Sequence, residues 1–121
     1  MHELSICREL LAQVAGIARE HSAQVRRVHL AVGPLSGAEP GLLERAYTIA
    51  VAGTVAEGSR LVIDAAPVRV RCNRCGEQTA ASANRLLCAA CGDWRTQLVS
   101  GDELVLVRVE LSKAPGATAA S

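Results

Sequence analysis

The sequence predicts an α+β fold, in which two helices pack on a small three-stranded sheet and a four-cysteine module is inserted before the last strand. Two observations support this prediction. Segments with helical and with alternating apolar periodicity follow in the order helix, strand, helix, strand. Two Cys-x-x-Cys pairs then precede the last and most β-branched segment of the chain.

Two amphipathic helices are predicted. In the first, residues 4 to about 21, apolar residues recur every three or four positions, and it begins almost at the first residue. Cys7 lies on its apolar stripe, where we expect a small buried hydrophobic side chain, and His21 complements the negative pole at its end. Pro40 suits the first turn of the second helix, to about residue 51, because its missing N–H is not needed there.

Alternating apolar residues predict the three strands of the sheet, over residues 25–32, 61–65 and 103–111. In the first of them, Val28 belongs to the buried face and His29 to the wetter face, so we expect His29 to be a surface residue. The last strand has the highest density of β-branched residues, which predicts a central position in the sheet.

The spacing of four cysteines predicts a metal site. Cys72 and Cys75 form one Cys-x-x-Cys pair, Cys88 and Cys91 form the other, and a glycine follows each pair. Two intervening residues let both sulfurs of a pair reach one ion, and glycine permits the turn. This is the layout of a zinc ribbon, whose closed four-sulfur site shapes a protein and does not catalyse. Four arginines could balance the thiolate charge: Arg71, Arg74, Arg85 and Arg95.

The cysteine pairs have three other possible interpretations. Two disulfides would suit a secreted protein, but the chain starts unlike a signal peptide and has a fifth cysteine. A redox Cys-x-x-Cys requires a strand–helix junction of a thioredoxin-like fold, which the pattern does not predict. Iron in a rubredoxin-like cage has similar spacing and is not excluded by the sequence.

Composition and charge limit the class of protein. Half of the 121 residues are hydrophobic, yet there is no Phe, one Trp and one Tyr, so the core must be aliphatic. Thirteen basic and twelve acidic residues give a formal charge of +1, so no strong field favours nucleic acid or an anionic membrane. Because no apolar run is long enough for a membrane span, we expect a cytoplasmic protein.

The expected domains are an α+β body of residues 1–67 with 102–112, a zinc-binding domain of residues 68–101, and a disordered tail of residues 113–121. The tail is small and polar and contains Pro115 and Gly116, which do not favour an ordered terminus.

The start Met1-His2-Glu3 suggests a second metal site. His2 should stay second in the mature chain, because an initiator methionine is usually removed only before a small residue. The terminal amine, the His2 amide and its imidazole Nδ1 could then chelate one ion, with the Glu3 amide or a carboxylate as fourth ligand. Ni(II) and Cu(II) prefer such a nitrogen-rich plane. The pattern alone has low specificity, and Glu39 is a further candidate to reach this site.

These features together resemble the HypA/HybF family of hydrogenase nickel-insertion proteins. The resemblance rests on the Met-His-Glu start that runs into a helix, the segment Gly-Thr-Val-Ala-Glu-Gly at 53–58, the cysteine cage and the closing strand Glu-Leu-Val-Leu-Val-Arg-Val-Glu-Leu at 103–111. The chain lacks the proline that often follows the first cysteine of the second pair and the family's core phenylalanines, and neither difference affects a ligand position.

The resemblance implies a nickel metallochaperone and not an enzyme. It would bind Ni(II) through His2, with Glu3 and Met1 contributing, and hold structural zinc in the cysteine cage. Its partners would be the HypB GTPase and the [NiFe] hydrogenase large subunit precursor, and in some organisms urease maturation proteins. The alternative is a zinc-ribbon module that binds nucleic acid or protein, but Trp94 is the only aromatic residue near the knuckles to stack on a base.

Overall fold

A computed structural model describes residues 2–113 and confirms the α+β class. Met1 and residues 114–121, most of the predicted disordered tail, lie outside the described residues. Two three-stranded sheets form, with the strand orders β2-β1-β6 and β4-β3-β5. The elements are α1 (His2–Glu20), β1 (Ala23–Val32), α2 (Pro40–Ala50), β2 (Arg60–Ala65), β3 (Arg69–Cys72), β4 (Gln78–Ala80), β5 (Thr96–Ser100) and β6 (Leu104–Lys113).

The described chain divides into two compact units. One unit contains residues 2–30, 39–63 and 106–113, and the other contains residues 31–38 and 64–105. The second unit includes the whole of the expected zinc-binding domain, 68–101. Neither α1 nor α2 is long and apolar enough to cross a membrane.

The first unit has an aliphatic core built by the two helices and β1. Helix α2 begins at Pro40, and the Glu39 carboxylate caps it by accepting the N–H of Leu42 at 2.7 Å. Cys7 is fully buried as predicted, and its Sγ donates to the carbonyl of Leu43 at 3.6 Å, which ties α1 to α2. The most deeply buried side chains of this unit are Cys7, Val14, Ala18, Val28, Leu43 and Ala56.

Strand β1 lies at the centre of the first sheet, and β6 lies at its edge. The predicted central position of the last strand is therefore wrong. Val28 in β1 is fully buried, whereas Val107 in β6 remains 60 % exposed. A high density of β-branched residues indicates that a segment forms a strand, but it does not determine how many neighbours that strand has.

In the second unit, the backbone of Gly33 passes close to that of Gly101 and joins residues 31–38 to residues 64–105. Its N–H donates to the carbonyl of Glu103 at 2.8 Å, and the N–H of Leu35 donates to the carbonyl of Gly101 at 2.8 Å. A Cβ at position 33 would overlap the carbonyl of Gly101, so only glycine fits there.

Strand β3 is the centre of the second sheet and pairs antiparallel with both β4 and β5. Between the two cysteine pairs, the chain forms β4 and an isolated bridge between Ser82 and Arg85. Over residues 68–101, the fully or nearly buried apolar side chains are Val68, Val70, Cys72 and Cys88. Such a small core needs a further source of stability, which a metal ion can provide.

Candidate functional site

The four cysteine sulfurs of the second unit converge on one point, as their spacing predicts. All four Sγ atoms lie within 4.8 Å of one another, and the Cys72–Cys91 and Cys75–Cys88 pairs are each 3.6 Å apart. In a tetrahedral site with zinc–sulfur bonds of about 2.3 Å, sulfurs lie about 3.8 Å apart, so the cluster fits such an ion. A disulfide requires about 2.05 Å, and all the cysteines are free, so the disulfide interpretation is wrong.

The two Cys-x-x-Cys pairs form the same six-residue turn. In each turn the N–H of the first cysteine donates to the carbonyl five residues later, and the glycine N–H donates back to the carbonyl of that cysteine. The glycines Gly76 and Gly92 have φ of +80° and +78°, which confirms their predicted role. The N–O distances are 2.9 Å (Cys72 to Glu77), 3.0 Å (Gly76 to Cys72), 3.0 Å (Cys88 to Asp93) and 2.8 Å (Gly92 to Cys88).

Main-chain N–H groups point at the first sulfur of each pair. The N–H groups of Arg74 and Cys75 donate to Cys72 Sγ at 3.3 and 3.4 Å, and the N–H of Cys91 donates to Cys88 Sγ at 3.4 Å. The Cys75 N–H lowers the pKa of Cys72, and the Cys91 N–H lowers the pKa of Cys88 to about 7. These bonds favour the thiolate, which is the form that binds a metal.

The second sulfur of each pair, in Cys75 and Cys91, has a raised pKa. The N–H of Glu77 lowers the pKa of Cys75, but desolvation and the contact with Cys88 Sγ outweigh it and raise that pKa to about 12. Without an ion, the thiol of Cys75 therefore keeps its proton. A metal that takes all four sulfurs must displace such protons, so its binding weakens as the pH falls.

Asp93 is a site residue that the sequence prediction missed. Its side chain is 5 % exposed, and its carboxylate accepts the main-chain N–H of Arg95 at 2.7 Å and the guanidinium of Arg95 at 2.8 and 3.0 Å. Arg74 Nη1 lies 3.6 Å from the same carboxylate. The Arg95 hydrogen bonds hold the pKa of Asp93 well below its usual range. Asp93 thus fixes two of the four predicted arginines beside the cage.

Asp93→Asn should loosen Arg95 and Arg74 beside the thiolates, so we expect zinc retention to weaken by about 10-fold, the lower end of the effect typical of residues that support metal ligands. Zinc release to a chelator would measure the effect. Glu77→Gln is the matched control, because Glu77 holds the same position after its glycine but is exposed. The pKa of Asp93 is depressed on folding, so its contribution is complete at neutral pH and is lost only in strong acid. Equal release rates for both variants would remove this role.

The predicted nickel ligands of the described chain lie at the start of α1. His2 is its first residue, with a side chain that is 57 % exposed, and its Nδ1 lies 3.4 Å from Oε1 of Glu3. The Glu3 side chain is only 7 % exposed, and its Oε2 accepts the N–H of Glu39 at 3.4 Å. Its own N–H and that of Glu39 lower the pKa of Glu3. The main chain of Glu39 reaches Glu3, whereas its carboxylate caps α2.

Each of the other two histidines has a partner elsewhere in the fold. His21 Nδ1 lies 2.9 Å from the carbonyl of Ile17 at the end of α1, as predicted for a helix-end residue. The prediction for His29 is wrong, since its side chain is only 12 % exposed and its Nε2 lies 2.5 Å from Glu110 Oε2. A partner 81 residues away in sequence accounts for this difference.

Residues 1–111 match the model of a protein family described as "Hydrogenase/urease nickel incorporation, metallochaperone, hypA". The chain belongs to the HypA family. The hydrogenase maturation factor HypA of Nitrosospira multiformis is 50 % identical over 112 residues, which cover 92 % of this chain and 97 % of that protein. The factor of the same name from Aquifex aeolicus is 38 % identical over 112 residues, with the same coverage.

Two solved HypA structures have the same fold. The solution structure of the Ni metallochaperone HypA from Helicobacter pylori aligns with a TM-score of 0.66 and 21 % identity, covering 93 % of this chain and 98 % of that one. A second HypA solution structure aligns with a TM-score of 0.72 and 22 % identity, and the alignment covers 94 % of this chain and 98 % of that one. HypA proteins are metallochaperones, so the expectation that the chain is not an enzyme is confirmed.

Proposed function

We propose that this protein binds Ni(II) at its N-terminus through His2 and, with the HypB GTPase, delivers it to the [NiFe] hydrogenase large subunit precursor. Urease maturation proteins are the second proposed recipients, and the proposed place of action is the cytoplasm. The proposal joins the family's role in nickel incorporation to one observation, the exposed imidazole of His2 on the first residue of α1. Residues 1–67 with 102–112 would be the nickel-binding domain and residues 68–101 the zinc-binding domain.

The position of His2 in the first turn favours a nickel–nitrogen site. The first N–H groups of a helix have no intrahelical acceptor, so a metal can replace the His2 amide proton without breaking a helical hydrogen bond. A deprotonated amide and an imidazole are the nitrogen donors that a square-planar Ni(II) prefers. The terminal amine of Met1 is the proposed third donor.

Glu3 makes this position favourable for a cation. The positive pole at the N-terminus of a helix disfavours a cation by about 0.3–1 kcal/mol. The Glu3 carboxylate, kept ionised by main-chain N–H groups, lies 3.4 Å from the His2 imidazole and opposes this effect. Because Glu3 is nearly buried and also binds the N–H of Glu39, we propose that it orients the site as well as contributing to it.

The four-cysteine cluster would hold zinc as a structural ion. All four sulfurs are used in the cage, so the ion has no open position for a substrate. In this proposal zinc maintains the small second sheet, and nickel is the cargo.

The proposal predicts that the GTPase docks on the exposed side of α1, so that nickel passes between partners without release into water. Arg8→Glu and Glu20→Arg, both at exposed positions of α1, should each weaken HypB association in a pull-down or titration, with unchanged zinc content. Arg85→Glu, at an exposed position of the zinc module, is the matched charge control. If only Arg85→Glu weakens the association, the docking surface lies on the zinc module and the α1 assignment is wrong.

A further inference from the structure

Strand β6 has an edge that none of the other described strands covers. In the sheet order β2-β1-β6 it pairs with β1 alone. It is ten residues long, contains no proline, and has its single lysine at the last position. Short length, proline and interior lysines are the usual protections of an edge strand against pairing with another chain. The other edge strand, β2, has only six residues, so it offers a much shorter edge than β6. The open edge of this sheet is therefore β6.

The order of side chains along β6 is complementary to itself. In an antiparallel pair of two β6 strands centred on Val109, Arg108 of each copy lies opposite Glu110 of the other. Opposite charges directly across a pair of strands attract, and like charges repel. A centre one position earlier, at Arg108, would place the two Arg108 side chains opposite each other. The sequence thus favours one register.

The same register pairs apolar side chains on the other face of the strand. Successive side chains alternate between faces, so Val107, Val109 and Leu111 share one face, and Arg108 and Glu110 share the other. Val109 then lies opposite Val109 of the second copy, and Val107 lies opposite Leu111. Val107 is 60 % exposed in the single chain, and this row would remove it from water.

The charged residues are in place for such a pairing. Glu110 is held by Arg27 at 3.0 Å and by His29, and the Arg108 side chain is 63 % exposed with its Nη2 3.4 Å from Glu110 Oε2. Arg108 therefore already reaches the face on which Glu110 of a second copy would lie.

We propose that β6 is a homodimer interface, in which the β6 strands of two copies pair antiparallel about a two-fold axis at Val109 and join their sheets into one of six strands. The interface is of the isologous type, in which the same surface of each copy is used. This inference concerns assembly and does not depend on the nickel proposal.

The association state of the full-length zinc-loaded protein and of two charge variants tests this proposal. Wild type should show a concentration-dependent dimer in sedimentation equilibrium. Arg108→Glu places glutamates opposite each other twice per dimer and should weaken the dimer about tenfold or more. Arg60→Glu makes the same charge change on the exposed edge of β2 and should leave the dimer unchanged. A monomeric wild type, or a dimer equally sensitive or insensitive to both variants, would overturn the proposal.

A cross-link tests the register independently of how Arg108→Glu folds. Val109→Cys should form a disulfide between copies under mild oxidation. Trypsin cuts after Arg108 and Lys113, so the product would be peptide 109–113 linked to itself, which mass spectrometry distinguishes from links to the other cysteines. Val62→Cys on β2 is the control and should not link to itself. Absence of the 109–113 pair in a dimeric sample would place the interface elsewhere.

Discussion

Replacing His2 by alanine is expected to abolish specific Ni(II) binding while fold and zinc content remain unchanged. The variant removes the one imidazole at the start of α1, and loss of a ligand should exceed the 10- to 100-fold loss in affinity caused by removing a ligand's partner. The imidazole is 57 % exposed, so its removal leaves no cavity in the core. Nickel titration, with the absorption spectrum of a square-planar ion as the signal, measures the effect.

His21→Ala is the matched control for this experiment, because it removes a histidine from the other end of the same helix. It should leave nickel affinity unchanged. A short tag ahead of Met1 should weaken binding too, since it converts the terminal amine to an amide. Binding should also decline as the pH falls, because ligating nitrogens must lose their protons. Nickel affinity that survives both His2→Ala and the tag would locate the site away from the N-terminus.

The second large effect is expected from Cys88→Ser, which should release zinc and unfold the second sheet. Structural zinc sites bind with about 10–16 kcal/mol, so one ligand of four accounts for roughly 3 kcal/mol, or about 100-fold in affinity. The module has few buried apolar side chains to replace that energy, chiefly Val68 and Val70. Metal content by mass spectrometry, together with thermal unfolding, would follow both losses.

Cys7→Ser provides the control for Cys88→Ser, because it makes the same chemical change in the first unit. It should lower thermal stability somewhat, since Cys7 is fully buried, yet leave one zinc per chain. Metal analysis also decides between zinc and iron in the cage. One iron per chain in protein purified under reducing conditions would support the rubredoxin-like alternative, and a Cys88→Ser protein that keeps its zinc would contradict the proposed ligand set.

The sequence predicts local features of this fold more accurately than distant contacts. The helices, the strands and the convergence of the four cysteines depend on periodicity and spacing within short segments, and each is found within a few residues of its prediction. The partner of His29 is Glu110, which no local pattern indicates. The edge position of β6 depends on which strands β1 pairs with, and strand propensity carries no information about that.

The sequence does contain an indication of the role of Asp93. An acidic residue follows the glycine of each knuckle, Glu77 after Gly76 and Asp93 after Gly92. Only the second is buried, because Arg95 folds back onto it two residues later. Repetition of a residue type at equivalent positions of two turns indicates a shared local structure. The nearby Arg95 decides which of the two acidic side chains is buried beside the cysteine cage.

The two interleaved units constrain the order in which the chain can fold during synthesis. Residues 31–38 belong to the unit completed by residues 64–105, and Leu35 must wait for Gly101 to form its hydrogen bond. At about 5–20 residues per second this delay is of the order of several seconds on the ribosome. The cysteine cage is complete in sequence at Cys91, before β6 has emerged. Metal capture by the four sulfurs can therefore precede the arrival of β6, the last strand of the N-terminal sheet.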